Sequence, residues 1–210
     1  MTGITTIKTK KFFNNAINNV VIDDSRKELL NKIVIQIVVE RKKIKKVKLN
    51  FICTHNSRRS QLAQVWAHYA IQYFKLKQIK SYSGGTEITS VHKNIIRTLQ
   101  CADFKFLLIE FSHKNPVYEI SYKSMKKPII IFSKPYDDVS NKKPFIAITT
   151  CGTADKNCPF IPDALKKIHL PYIDPKYSDN TTESSKIYLE TSLQIAAEMH
   201  FIFKRVKNLL

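Results

Sequence analysis

The stretch Leu49-Asn-Phe-Ile-Cys-Thr-His-Asn-Ser-Arg-Arg-Ser60 constrains this chain more than any other. An apolar run ends in Cys53, crosses a short polar loop and enters an amphipathic segment at Arg59, with five residues between the cysteine and the arginine. If the loop wraps a tetrahedral oxyanion, its backbone N–H groups, the N-terminus of the following helix and the Arg59 guanidinium all point at one small volume. The same positive field favours the thiolate form of Cys53, which is the nucleophilic form. The bland alternative is a buried strand-end cysteine beside an unrelated surface arginine, since free Cys is often simply core.

From Lys48 onward the pattern alternates between strand and helix, which predicts an α/β fold with a parallel sheet and helices on its faces. Strands are expected over 48–53, 80–83, 145–150 and 170–173, the second stopped by Gly84-Gly85, and helices over 59–73, 90–101 and 182–206. Residues 117–122 and 129–133 are β-rich and read as a hairpin-like excursion within 116–138. Asp137-Asp138 after Pro135 reads as a turn rather than as paired catalytic carboxylates. Residues 1–47 are expected to be an N-terminal helical extension to a catalytic domain over 48–210. Within it, Ser25 and Glu28 have capping-box spacing, and Leu29, Leu30, Ile33, Val34, Ile37 and Val38 recur on one helix face. That stripe needs a cover, either the main domain or a dimer contact. Phe12, Phe13, Ile17, Val20 and Val21 suggest a second short helix.

The chain has 210 residues, enough for one generous domain with a real core. It has no apolar run long enough to span a membrane and no signal-peptide layout at its start, so a cytoplasmic protein with no membrane partner is expected. The net charge of +18 is compatible with nucleic acid, an acidic membrane surface or steering of small anions. Its lysines are spread along the whole chain, and only Arg41–Lys48 is a dense run, which argues against nucleic acid as a partner.

A second constellation is Cys151-Gly-Thr-Ala-Asp-Lys-Asn-Cys158-Pro-Phe-Ile-Pro162, two cysteines seven apart after a strongly apolar strand. Alone it is a weak signal. Zinc is disfavoured because His169 by itself does not complete four ligands, and no metal or cofactor is expected.

Taken together with Cys53-Thr-His-Asn-Ser-Arg-Arg59-Ser60-Gln-Leu-Ala, Tyr82-Ser83-Gly84-Gly85 and Asp174-Pro175, the spacing is more telling. From Leu49 to its C-terminus the chain resembles the thioredoxin-coupled arsenate reductases, built on the low-molecular-weight tyrosine phosphatase fold. The resemblance implies a three-layer architecture around a four-stranded parallel sheet. It also implies a relay of three thiols. Cys53 attacks arsenate held by Thr54, His55, Asn56, Ser57, Arg58, Arg59 and Ser60, Asp174 protonates a departing oxygen, and Cys151 then Cys158 carry the oxidation away as disulfides that thioredoxin reduces. Asn56 and Ser60 would brace the loop and the thiolate, and Ser83 would support the loop from the neighbouring strand. The phosphatases of this fold share the first loop and Asp174 but not the cysteine pair, so a phosphatase working through a cysteinyl-phosphate is the alternative.

Three residues depart from the family pattern. His55 stands where glycine is usual, and imidazole tolerates the left-handed backbone region better than most side chains. It is expected to point to solvent. Arg58 replaces a small residue and would strengthen the field if it turned inward. Gln64 stands where potassium-binding reductases carry Glu. Tyr177 occupies the region where phosphatases flank an aromatic substrate, and Cys101 is expected to be a small buried hydrophobe.

Overall fold

The computed structural model describes residues 7–123, 125–157 and 160–210. Helices α1 (Thr9–Asn19) and α2 (Asp24–Lys43) lead into strand β1 (Val47–Cys53), whose residues are nearly all buried. That continuous burial is what a central parallel strand covered on both faces requires. Then follow α3 (Arg59–Tyr73), β2 (Ile79–Gly85), α4 (Lys93–Cys101), β3 (Lys105–Glu110), β4 (Val117–Ser121) and β5 (Ile129–Ile131). The chain finishes with β6 (Phe145–Thr149), α5 (Gly152–Asn157), β7 (Ala164–His169), a 3-10 turn (Pro175–Ser178) and α6 (Ser184–Leu209).

β2, β1, β6 and β7 form, in that order, a parallel four-stranded sheet. The residues of its strands feed two cores. Leu49, Phe51, Ile146 and Ile148 join the large core with α2, α3 and α6, while Ile52, Cys53, Phe145 and Ala147 meet Cys151, Ala154 and Ile161 on the opposite face. The architecture is a three-layer α/β fold with the carboxyl ends of β1 and β6 side by side, the edge at which ligands bind in open α/β sheets.

The N-terminal helices are part of the large core. Phe12 and Phe13 stack on Trp66 of α3 at centroid separations of 5.1 and 5.9 Å, and Trp66 donates its indole N–H to Ser192 of α6 at 2.8 Å. Leu30, Ile33, Val34 and Ile37 of α2 are buried against α6 and the sheet, so these positions of the apolar stripe find their cover within the chain. The cap of α2 differs from expectation: Asp23, not Ser25, accepts the Arg26 N–H, and the Ser25 hydroxyl bonds to Asp23.

Four elements depart from the sequence reading for physical reasons. β2 continues through Gly84 and Gly85, because only a residue without Cβ lets the strand lie this close to its neighbours; a Cβ on Gly84 would sit 2.2 Å from the Tyr136 Cα. α4 starts at Lys93, where the His92 side chain accepts the Asn94 N–H. The last strand is Ala164–His169, not 170–173. As an edge strand it buries only Ile168, so its lysines disguised it, while Leu170 and Tyr172 fill core from extended chain. The β-rich excursion is a three-stranded antiparallel sheet, with β4 paired to β5 as a hairpin and β3 added on its outer side. Asp137-Asp138 lies in a turn in which Asp138 accepts from Ser140.

Candidate active site

Cys53 ends β1 with its side chain buried, and its Sγ lies 3.0 Å from the Ser60 hydroxyl at the start of α3. The loop between them is shaped by Asn56, the residue with a left-handed backbone (φ 45°), fully buried. Its carboxamide spans the loop: Nδ2 donates to Ser60 Oγ at 2.8 Å, while Oδ1 accepts from Gln61 Nε2 and the Lys134 N–H, each at 3.1 Å. Asn in this conformation is a favourable choice, because a short polar side chain can bond locally while the backbone turns left. His55 is not the left-handed residue. It is half-exposed and its Nε2 lies 3.1 Å from Glu87, so it faces the rim instead of the thiol.

Gly85 lies directly beneath the loop, where an added Cβ would stand 2.6 Å from the Thr54 carbonyl oxygen and 2.8 Å from the Asn56 nitrogen. The Ser83 hydroxyl bonds to the helix after the loop. It donates to Gln64 Oε1 of α3, so its support reaches the loop through the helix. The segment after β5 clasps the loop from the other side. Ser133 Oγ donates to the His55 carbonyl at 2.8 Å and accepts the Thr89 N–H, and Asn115 brackets the Ser133 backbone with both ends of its carboxamide. Nothing in the sequence pattern singled out Ser133 or Asn115, whose role depends on a long-range approach.

The two arginines of the loop go to two aspartates. Arg59 pairs through Nη2 with Asp174 and donates from Nη1 to the Tyr172 carbonyl at 3.1 Å, while its Nε is buried with no acceptor among the described residues. Asp174 also accepts the Lys176 N–H, capping the 3-10 turn. Arg58 does not turn inward: its Nε donates to the Tyr188 hydroxyl and its Nη2 to Asp179, both at 2.6 Å. Burial works against the charge on Asp179, but the Tyr188 hydroxyl and Arg58 outweigh it and hold its carboxyl below the usual range. His92, 3.2 Å from the same hydroxyl, is pushed down by burial and by Arg58.

Cys151 follows β6 and opens α5. It is a buried free thiol in the same small apolar cluster as Cys53, with its Sγ 3.5 Å from the Thr54 hydroxyl and 3.4 Å from the Ala154 nitrogen. Cys158 lies outside the described residues. Tyr177 is 66% exposed beside the aspartate loop. Cys101 is half-buried at the end of α4, less enclosed than expected, and burial raises its thiol above the ordinary range. His169 bonds to Thr149 at 3.0 Å, and no group of metal-ligating side chains occurs among the described residues.

No protein-family model matches the chain. Arsenate reductase 2 of Staphylococcus epidermidis is 30% identical over 125 residues, 60% of this chain and 76% of that protein. The arsenate reductase of Bacillus subtilis is 29% identical over 140 residues, 67% of this chain and 82% of the relative. Among solved structures, a mutant of YwlE from Bacillus subtilis matches with a TM-score of 0.54 at 14% identity, covering 77% of this chain and 99% of that one. A low-molecular-weight protein tyrosine phosphatase from the same organism, solved in solution, matches with a TM-score of 0.51 at 12% identity over 77% and 98% of the two chains. At such identities these structures speak to the fold alone.

Proposed function

Because the chain belongs to the family of arsenate reductases and low-molecular-weight tyrosine phosphatases, we propose that it reduces arsenate to arsenite with its own thiols. The observation that carries this reading is the company Cys53 keeps: a second free, buried thiol, Cys151, shares its apolar cluster and reaches the hydroxyl of the next loop residue, Thr54. Ester hydrolysis through a cysteinyl-phosphate does not require a second thiol, whereas reduction of As(V) to As(III) does. The buried Arg59 Nε, a donor without an acceptor among the described residues, supports an oxyanion as the ligand, since such a group is costly unless something accepts from it.

In the first step the Cys53 thiolate attacks arsenic, a sulfur–arsenic bond forms and an arsenic–oxygen bond breaks. Asp174 supplies the proton that lets the oxygen depart as water. Ser60 Oγ–H stabilises the thiolate, and Arg59 exchanges Asp174 for the anion, so that the acid is freed as the ligand is gripped. Cys151 as thiolate then attacks Cys53 Sγ. The sulfur–arsenic bond breaks, its electron pair stays on arsenic, and As(V) leaves as As(III) with a Cys53–Cys151 disulfide behind. Attack by Cys158 on Cys151 restores Cys53 and leaves a Cys151–Cys158 disulfide, which a dithiol donor such as thioredoxin reduces. The exposed Tyr177 beside Asp174 favours, as a second reading, hydrolysis of aryl phosphates at the same loop through a cysteinyl-phosphate.

Arsenite formation with thioredoxin and its reductase, set against glutathione and glutaredoxin, tests the proposal. Cys151→Ser and Cys158→Ser should each abolish multiple turnover while leaving hydrolysis of a chromogenic phosphate ester, and Cys53→Ser should abolish both. Undiminished arsenite turnover in either of the first two variants rules out the relay, and ester hydrolysis with no arsenite formed by the wild type leaves the phosphatase.

A further inference from the structure

Two consecutive arginines of the catalytic loop hold the two ends of one short segment. Asp174 caps the start of the 3-10 turn Pro175–Ser178 and pairs with Arg59; Asp179 closes the turn and pairs with Arg58. The two pairs differ in what surrounds them. Arg59 has a second use in the proposed chemistry, with its buried Nε lacking an acceptor among the described residues. Arg58 has none: among the described residues its guanidinium bonds to Asp179 and to Tyr188, a fully buried residue of α6, and Tyr188 itself donates to Asp179 at 2.7 Å. A bonded triangle of arginine, carboxylate and phenol is a fixed point, because each member constrains the other two and the charges satisfy one another.

From this arrangement we infer that Arg58 is a positioning residue, a latch that keeps the Asp174 segment over the catalytic loop during the part of the cycle in which Arg59 lets go of Asp174 to hold the oxyanion. The inference rests on the oxyanion reading of the loop. Without the latch, capture of the anion would cost the segment its hold on the loop at the moment when the acid is needed. With it, Asp174 loses one partner but the turn stays anchored five residues on, at Asp179. The acid is then freed from its ion pair without being released from the site. An arginine is required for this role, since a lysine cannot serve the phenol and the carboxylate from a planar fork.

Amide hydrogen exchange of residues 174–179, measured with and without inorganic phosphate, tests the latch directly. In the wild type the segment stays protected in both states. In Arg58→Met it should be protected without phosphate, where Arg59 still holds Asp174, and lose protection by about tenfold or more when phosphate is added. Asp179→Asn approaches the same contact from the other side and should behave alike, which covers failure of either variant to fold. Equal protection in both states, or equal loss in both, overturns the latch. If phosphate leaves residues 54–59 of the wild type unaffected, the oxyanion reading fails and the latch, having nothing to act against, falls with it. A kinetic signature accompanies the exchange result. The ratio of turnover on 4-nitrophenyl phosphate to that on phenyl phosphate, a poorer leaving group, should rise about tenfold in Arg58→Met, as loss of a positioned acid requires. A uniform fall on both esters would instead make Arg58 a contributor of charge, against the inference.

Discussion

At the scale of single residues, the loop depends most on Asn56. It is the one loop residue with a left-handed backbone, and its side chain ties together Ser60 and Gln61 of α3 and the backbone of Lys134 in a distant segment. Asn56→Ala should cost about 1–3 kcal/mol, because buried donors lose their acceptor, and should lower activity further than stability as the amide cradle relaxes. Asn56→Gly separates the two contributions, since it accepts the backbone conformation without restoring the bonds. If urea unfolding and ester hydrolysis are both restored by glycine, the side-chain bonds are dispensable and the backbone turn is all that matters. His55 illustrates the converse. A residue that looks out of place in a tight loop is tolerated because the left-handed position is Asn56, not His55, and the imidazole pairs with Glu87 at the rim.

At the scale of elements, β1, its loop and α3 were legible from the sequence because everything that defines them is local: a continuous apolar run, a polar loop and a helical period. β7 was not, since an edge strand with one buried residue carries almost no hydrophobic pattern, and the apolar Leu170 and Tyr172 drew the eye to extended chain instead. The site divides in the same way. Cys53, Arg59 and Ser60 stand within one motif, whereas Ser133, Asn115 and the Arg58–Asp179–Tyr188 triangle are brought together across 18 to 130 residues of sequence by packing. The N-terminal helices likewise revealed their periodicity but not their place. Phe13 is fully buried, stacked on Trp66 and edge-on to Tyr69, so α1 completes the core behind α3. Phe13→Ala should therefore destabilise the whole protein by about 3–5 kcal/mol, as for other large aromatic truncations in cores. A urea midpoint close to that of the wild type would mean that α1 is a separable appendage.

At the scale of the molecule, the buried titratable groups set a window of pH in which the fold is most stable. His68 and His200 are both pushed down to about 4 by burial, and Lys204 adds to the effect at His200. Each therefore binds its proton less readily in the folded state than in the unfolded chain, where imidazole titrates near 6.5. Acidification from about 6.5 toward 4 must favour unfolding, with His68 contributing at most roughly 1.4 kcal/mol per pH unit and the more solvated His200 less. Below that range Asp155 and Asp179, held low by their hydrogen bonds and cationic neighbours against the effect of burial, add a further loss as they take up protons. On the alkaline side burial raises Tyr69, Tyr172 and Tyr188 and takes Tyr122 up to about 12, so stability falls again once the unfolded chain begins to ionise near 10. Buried Lys134, whose ammonium is disfavoured, works in the opposite direction there. The melting temperature followed by circular dichroism from pH 3 to 11 should thus pass over a plateau between about 6.5 and 10 and descend on both sides. His200 lies against Phe13 and Phe74 at centroid distances of 5.5 and 5.1 Å, so His200→Phe keeps aromatic packing and removes one proton acceptor. That variant should descend less steeply between 6.5 and 4 than the wild type, and parallel acid limbs would mean that the loss comes from elsewhere, with the repulsion of a chain carrying a net charge of +18 the first alternative.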